Sequence, residues 1–256
     1  MRAISSLKSK RENPLIRFNF AARALAIALA TTLASSAAAR ADVTLGLGGG
    51  PAIGTYGDID GATTTGGRPV PVVDLDANFG SLELSTESLV YQRTRYYGNP
   101  FAPSMAALSS FDATLRAYEP GHRLAFGVGY AGVLATTFRT FPTGTLATQA
   151  SGVRLELHER VPLTTRATLE LTFGGEPDLH GTTRASLGVA GAPPVVDAIA
   201  GQQLEASAID VVRANRTLSF AYGLRYTNTD LRFAKSTALV EHDARLVPFV
   251  QLRLQR

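Results

Sequence analysis

The chain has four histidines and no cysteine, and two of the histidines have an aspartate close by: His180 beside Asp178, and His242 beside Asp243. An Asp/His pair can activate a water for hydrolysis, the carboxylate orienting the ring and the ring taking the proton. The other two histidines have different surroundings. His122 ends the turn sequence Glu119-Pro120-Gly121-His122, and His158 sits in a run of alternating charged residues. There is no H-E-x-x-H, no G-x-S-x-G and no His/Cys cluster, so neither a metal site nor a serine nucleophile is expected. Thiol chemistry and a disulfide framework are excluded outright. The run Gly46-Leu-Gly-Gly-Gly50 lacks the βαβ surroundings a dinucleotide fingerprint requires. No catalytic residue, metal or cofactor is assigned, and an enzyme is the less favoured class.

The elements that must carry these residues begin after residue 41. Residues 1–41 read as a secretory signal peptide: a basic head with Arg2, Lys8, Lys10, Arg11, Arg17 and Arg23, an apolar stretch from Ala24, and the ending Ala39-Arg40-Ala41. The apolar stretch is shorter than the ~20 residues of a spanning helix. Cleavage is expected after Ala41, leaving residues 42–256 as one domain. The whole chain has 25 Lys+Arg against 21 Asp+Glu, a net of +4. The leader holds seven of those cations and one acid, so the remainder has 18 against 20, a net of −2. Its only lysine is Lys235. A nucleic-acid partner is therefore not expected.

Beyond residue 41 the pattern is alternation, the period of a strand. In Arg123–Phe138, Leu124, Phe126, Val128 and Tyr130 take one face, with small residues on the other. Gly152–Val161, Arg166–Phe173 and Leu218–Tyr226 set apolar residues against Arg, Glu, His and Thr. Val43–Gly54, Val70–Phe79, Leu82–Arg93, Phe111–Tyr118, Leu204–Val212 and Leu246–Gln255 complete ten stretches. Leu204–Val212 changes parity at Asp210, and Pro248 interrupts the last, which suits a bend. The connections alternate strictly. Short ones at 80–81, 119–122, 162–165 and 213–216 follow long ones at about 55–69, 94–110, 139–151, 174–203 and 234–244.

That plan predicts an all-β fold: a closed antiparallel up-and-down transmembrane β-barrel of about ten strands, with eight as the alternative if Val43–Gly54 or Leu204–Val212 is not a strand. In lipid every backbone polar group must be satisfied within the protein, and a closed barrel is the sheet that does so. Tyr91, Tyr96, Tyr97, Phe101, Phe138, Phe141, Phe173 and Phe233 gather near the long-loop ends, where an aromatic girdle would lie. The pattern resembles small bacterial outer-membrane β-barrel proteins over residues 42–256. The openings VTLGLGGGPAIGTYG and RPVPVVDLDANFG are similar to the start of the MipA/OmpV family, from which no function is carried over. The resemblance implies a porin-like protein of the Gram-negative cell outer membrane, reached after export through the inner membrane, with outer-membrane lipid and the barrel assembly machinery as partners. Barrels of this class usually end on an aromatic residue, whereas this chain ends Leu252-Arg253-Leu254-Gln255-Arg256. A water-activating Asp/His arrangement occurs on the rim of the ten-stranded omptin proteases, but no sequence motif here matches theirs.

If the apolar faces meet lipid, Asp74, Asp76, Glu83, Glu87, Asp112, Arg116, Arg154, Glu156, His158, Arg160, Arg166, Glu170, Arg225 and Arg253 line the lumen. An acidic wall from 70–93 then faces a mostly basic one, and either a narrow channel for small polar solutes or a salt-bridged filling follows. The turn at Gly80-Ser81 pairs Ala77 with Leu84. Of two registers at Pro162–Thr165, avoidance of like charges selects His158 opposite Glu170 and Arg160 opposite Thr168. The apolar run Leu187–Ile199 in the loop 174–203 could fold inward as a constriction or bind a partner. A barrel whose long external loops bind a partner or carry a surface hydrolase site, and a secreted soluble β-sandwich, are the alternatives.

Overall fold

A computed structural model describes residues 42–58, 63–65, 69–96, 103–140, 143–187, 194–236 and 238–256; the leader lies outside them. Twelve strands occur among the described residues: β1 (Asp42–Pro51), β2 (Ile53–Asp58), β3 (Thr63–Thr65), β4 (Pro69–Asn78), β5 (Leu82–Tyr96), β6 (Pro103–Tyr118), β7 (Leu124–Thr140), β8 (Thr143–Pro162), β9 (Ala167–Leu187), β10 (Val195–Arg213), β11 (Leu218–Phe233) and β12 (Leu239–Gln255). No helix occurs among the described residues.

The strands form a closed ten-stranded antiparallel barrel. Each strand from β4 to β12 pairs with the next, and β1 joins β4 on one side and β12 on the other. β1 and β2 are two halves of one barrel strand. β12 pairs with β1 up to Val250 and with β2 from Leu246, and Pro248 lies between. A proline has no N–H for a ladder, so the pairing breaks there. β3 pairs with β2 and β4 with β1, which makes the second barrel strand. Closure is completed by Val43 and Arg256, whose backbones exchange hydrogen bonds of 3.2 and 3.0 Å.

The faces sort as a bilayer requires. Outward-facing Phe126 is 68 % exposed, Val128 59 %, Leu155 52 %, Phe173 56 % and Val250 64 %. Inward-facing Arg154 is 2 % exposed, Glu83 1 % and Glu176 0 %. This inverts the burial of a water-soluble protein, where charges are almost never hidden. It overturns the sandwich alternative, since Leu155 and Leu224 stand outside rather than in a dry core.

The strands are longer than their apolar alternation. β8, β9 and β10 run 20, 21 and 19 residues, while a tilted strand crosses the hydrocarbon in about 9–11. Much of the expected long loops is therefore strand. Of the segment 174–203, residues up to Leu187 continue β9 and those from Val195 belong to β10, with Val195 and Val196 exposed. Residues 188–193 lie outside the described residues.

Two registers were open to prediction. Ala77 pairs with Leu84, and Gly80 has φ 83° in a two-residue turn. A positive φ at the first turn position alone is the II′ pattern that matches strand twist. At Pro162–Thr165 neither considered register occurs. Arg160 pairs with Glu170, His158 with Thr172 and Pro162 with Thr168. The turn is wider than the parity argument assumed. Leu163 and Thr164 both donate N–H to the Ala167 carbonyl, and Thr164 Oγ1 accepts from the N–H groups of Arg166 and Ala167. The result places opposite charges face to face, which the like-charge rule favours more than the pairing it selected.

Candidate functional site

The inward positions of the lower barrel follow from parity. On β4 they are Asp74 and Asp76, on β5 Glu83 and Glu87, on β6 Asp112, Arg116 and Tyr118. On β8 they are Arg154, Glu156, His158 and Arg160, on β9 Glu170, on β11 Arg225 and on β12 Arg253. Of these, Asp74, Glu83, Arg154, Glu156, His158 and Arg225 are buried, and Asp76, Glu87, Asp112, Arg116, Arg160, Glu170 and Arg253 partly so. Arg166 stands apart, exposed in the turn before β9.

Most of these side chains are joined by contact into one chain that crosses the lumen. Arg253 holds Glu170 at 2.8 Å and lies 3.8 Å from Asp74. Arg160 stands 3.6 Å from Glu170 and 2.7 Å from Glu83. Arg116 reaches Glu83 at 2.8 Å and Glu156 at 2.5 Å. Arg154 takes Glu156 and Glu176 at 3.0 Å and Glu205 at 3.2 Å. Arg225 lies 3.4 Å from Glu205 and pairs with Glu87. Gln251 donates to Asp74 and accepts from Arg253. Neutral groups fill the gaps. The Tyr118 hydroxyl donates to Glu83 at 3.2 Å, the Arg160 guanidinium lies 4.9 Å over the Tyr118 ring, and His158 is edge-on to that ring and 3.0 Å from the Thr172 hydroxyl.

The expected acidic and basic walls do not stand apart. Carboxylates of β4 and β5 interlock with guanidinium groups of β6, β8, β11 and β12, and β8, β9 and β10 bring acids of their own. At the centre of these charges lies a cavity of 40 Å³, room for a few waters. Above these charges the lumen holds two apolar clusters, with the buried Glu241, Asp243 and Arg245 of β12 on the stretch between Val240 and Val247. Val70, Val72, Leu89, Leu108, Val247 and Phe249 form one buried cluster, and Leu179, Ile199, Leu231 and Val240 another.

Sequence reasoning missed Glu176, Glu205, Glu241, Asp243 and Arg245, all buried. The last three continue the inward parity of Gln251 and Arg253 backwards through Phe249 and Val247, a signal the sequence does carry. Glu176 stands beside a bulge. Between β8 and β9 the register shifts across Ser151/Leu155, and between β9 and β10 across Gly201/Gln203, so β9 has one extra residue near Pro177.

Of the two Asp/His pairs, one forms as the sequence suggested and the other takes a different aspartate. His180 contacts Asp178 at 2.9 Å, both strongly exposed on the outer face of β9. His242 contacts Asp230 on β11 at 2.7 Å, not Asp243, which is fully buried beside Arg245. β10 and β11 separate the strands of the two histidines. Of the expected girdle, Phe173 faces outward and Phe233 packs against the inner apolar cluster instead. Tyr97, Phe101 and Phe141 lie outside the described residues, as do the side chains of Tyr91, Tyr96 and Phe138.

No protein-family model matches the chain, and no curated protein matches it by sequence. Among solved structures, the outer membrane protease OmpT from Escherichia coli matches with a TM-score of 0.54 at 9 % identity, over 84 % of this chain and 96 % of that one. The P. putida toluene transporter TodX matches with a TM-score of 0.36 at 11 % identity, over 85 % and 90 %. Neisserial surface protein A matches with 0.35 at 11 %, over 84 % and 96 %. The likeness to OmpT is one of fold.

Proposed function

We propose that the chain is exported by its leader, spans the outer membrane, and serves there as a structural barrel whose lumen is held shut by ion pairs. The observation that carries this reading is the unbroken chain of charged contacts from Asp74 to Glu87. A conducting state would require those pairs to separate. Location in the outer membrane is supported by the apolar outer face, the barrel fold it shares with OmpT and the export-type leader. The likeness to the MipA/OmpV opening is consistent with such a barrel and adds no activity. The protease activity of OmpT is not carried to this chain, because its two Asp/His pairs lie on the outer wall with two strands between them. Assembly in the membrane would depend on the barrel assembly machinery.

Fractionation combined with gel migration tests the reading. The protein should pellet with outer membranes and need detergent for extraction. Unheated samples should migrate differently from boiled ones, as a closed barrel resists detergent. Recovery from the soluble periplasm without detergent would overturn it.

A further inference from the structure

The short-turn mouth of the barrel contains a second charged cavity, whose lining adds Arg166 and Arg213 to members of the ion-paired layer. It has a volume of 290 Å³ and opens below the ion-paired layer, room for a cluster of waters. Arg160 and Arg253 form its roof, and both are committed to Glu83 or Glu170. Arg166 and Arg213 line it as well and are committed to nothing: neither has an ion-pair partner among the described residues, and both are exposed.

Their placement is unusual. The N–H of Arg213 donates to the carbonyl of Arg166 at 2.8 Å, so the two sit opposite each other on neighbouring strands. Like charges directly opposite destabilise a sheet pair. Ser219 lies opposite Arg213 on its other side, and Thr165 and Thr168 flank Arg166 along the chain and also line the cavity. Two arginines and three hydroxyl-bearing residues thus line one side. Asp42 and Asp76 occupy the opposite side, on β1 and β4, and Glu83 and Glu170, which also line the cavity, are taken up by Arg160 and Arg253.

We propose that this mouth is a binding site for a small oxyanion, a phosphate or carboxylate group presented from the short-turn side. The chemistry is that of the guanidinium fork, which meets two oxygens of a carboxylate or phosphate with parallel hydrogen bonds. An oxyanion between Arg166 and Arg213 would relieve their mutual repulsion, and the hydroxyls would complete its shell. Asp42 and Asp76 would repel a large polyanion, which restricts the ligand to a small group or to one that also carries a cation.

The test uses the folded barrel, residues 42–256, in detergent micelles at physiological salt, with inorganic pyrophosphate and citrate as calorimetric probes. At least one probe should bind the native protein. Arg166→Gln with Arg213→Gln should weaken that binding about tenfold or more, while Arg123→Gln, an exposed arginine outside the cavity, should leave it unchanged. Retained heat-dependent gel migration would show that the variants are folded. Failure of both probes to bind the native barrel, or an equal loss in Arg123→Gln, would overturn the site. Neither result would bear on the closed lumen, which depends on other arginines and is read by conductance.

Discussion

Glu87 on β5 and Arg225 on β11 form an ion pair although three barrel positions, β4, β1 and β12, separate their strands on the shorter way round. Such a contact is a chord through the lumen, not a neighbour contact along the wall. A barrel of ten strands is narrow enough for opposite walls to touch through long side chains, and small barrels fill their interiors in this way.

Glu83 is held by Arg116 at 2.8 Å and Arg160 at 2.7 Å and is almost fully buried. Removing its charge leaves two guanidinium groups inside the barrel short of a counter-charge. Glu83→Gln should lower the unfolding free energy by about 3–5 kcal/mol, measured by urea titration in lipid vesicles. Asp178→Asn, at an exposed position on the outer face, should change it by less than about 0.5 kcal/mol.

Leu155 faces outward within the apolar belt at 52 % exposed, and Leu163 stands in a short turn at 53 %. The two look alike in water and differ in a bilayer. Leu155→Arg should cost about 2–4 kcal/mol and Leu163→Arg about 0–1. Equal costs in the same vesicle assay would mean that the belt does not meet hydrocarbon.

Two glycines separate backbone strain from crowding. Gly80 has φ 83° and open space where a Cβ would stand, so Gly80→Ala should cost about 1 kcal/mol through conformation alone. Gly46 lies against the Asp74 carboxylate and the Gln251 amide at the seam of the barrel. Gly46→Val should cost more, about 1–3 kcal/mol from overpacking, and should weaken heat-resistant gel migration.

The hairpin register can be read chemically, because the native chain has no cysteine. Val161 is opposite Leu169. The double variant Val161→Cys with Leu169→Cys should crosslink under mild oxidation, seen as a band shift that reducing agent reverses. Val161→Cys with Ala167→Cys, the pairing of the register first expected, should not.

All ten barrel strands were legible where the outer face meets hydrocarbon, because there the chain alternates between two environments. Leu124 to Tyr130 and Leu218 to Tyr226 are such segments. The legibility ends where the barrel leaves the membrane. In Thr143–Ser151 every residue but Leu146 is small or polar, and in Glu176–Arg184 charges stand on either side, so the period of two carries no sustained apolar signal although the strands continue. Inside the barrel the difficulty is the reverse. Val70 and Val72 point inward while Val73 points outward, and Ile209 and Val211 point inward on β10, which disguised Glu205 as part of an irregular strand. The register at Pro162–Thr165 was misjudged because charge pairing was weighed without the Thr164 hydroxyl, whose hydrogen bonds to Arg166 and Ala167 widen the turn.

Single-channel recording from the purified barrel in planar bilayers tests the closed lumen most directly. The account predicts no conductance steps above background, because the ion pairs that run from Asp74 to Glu87 join opposite walls across the lumen. Steady unitary steps from the native protein would contradict it.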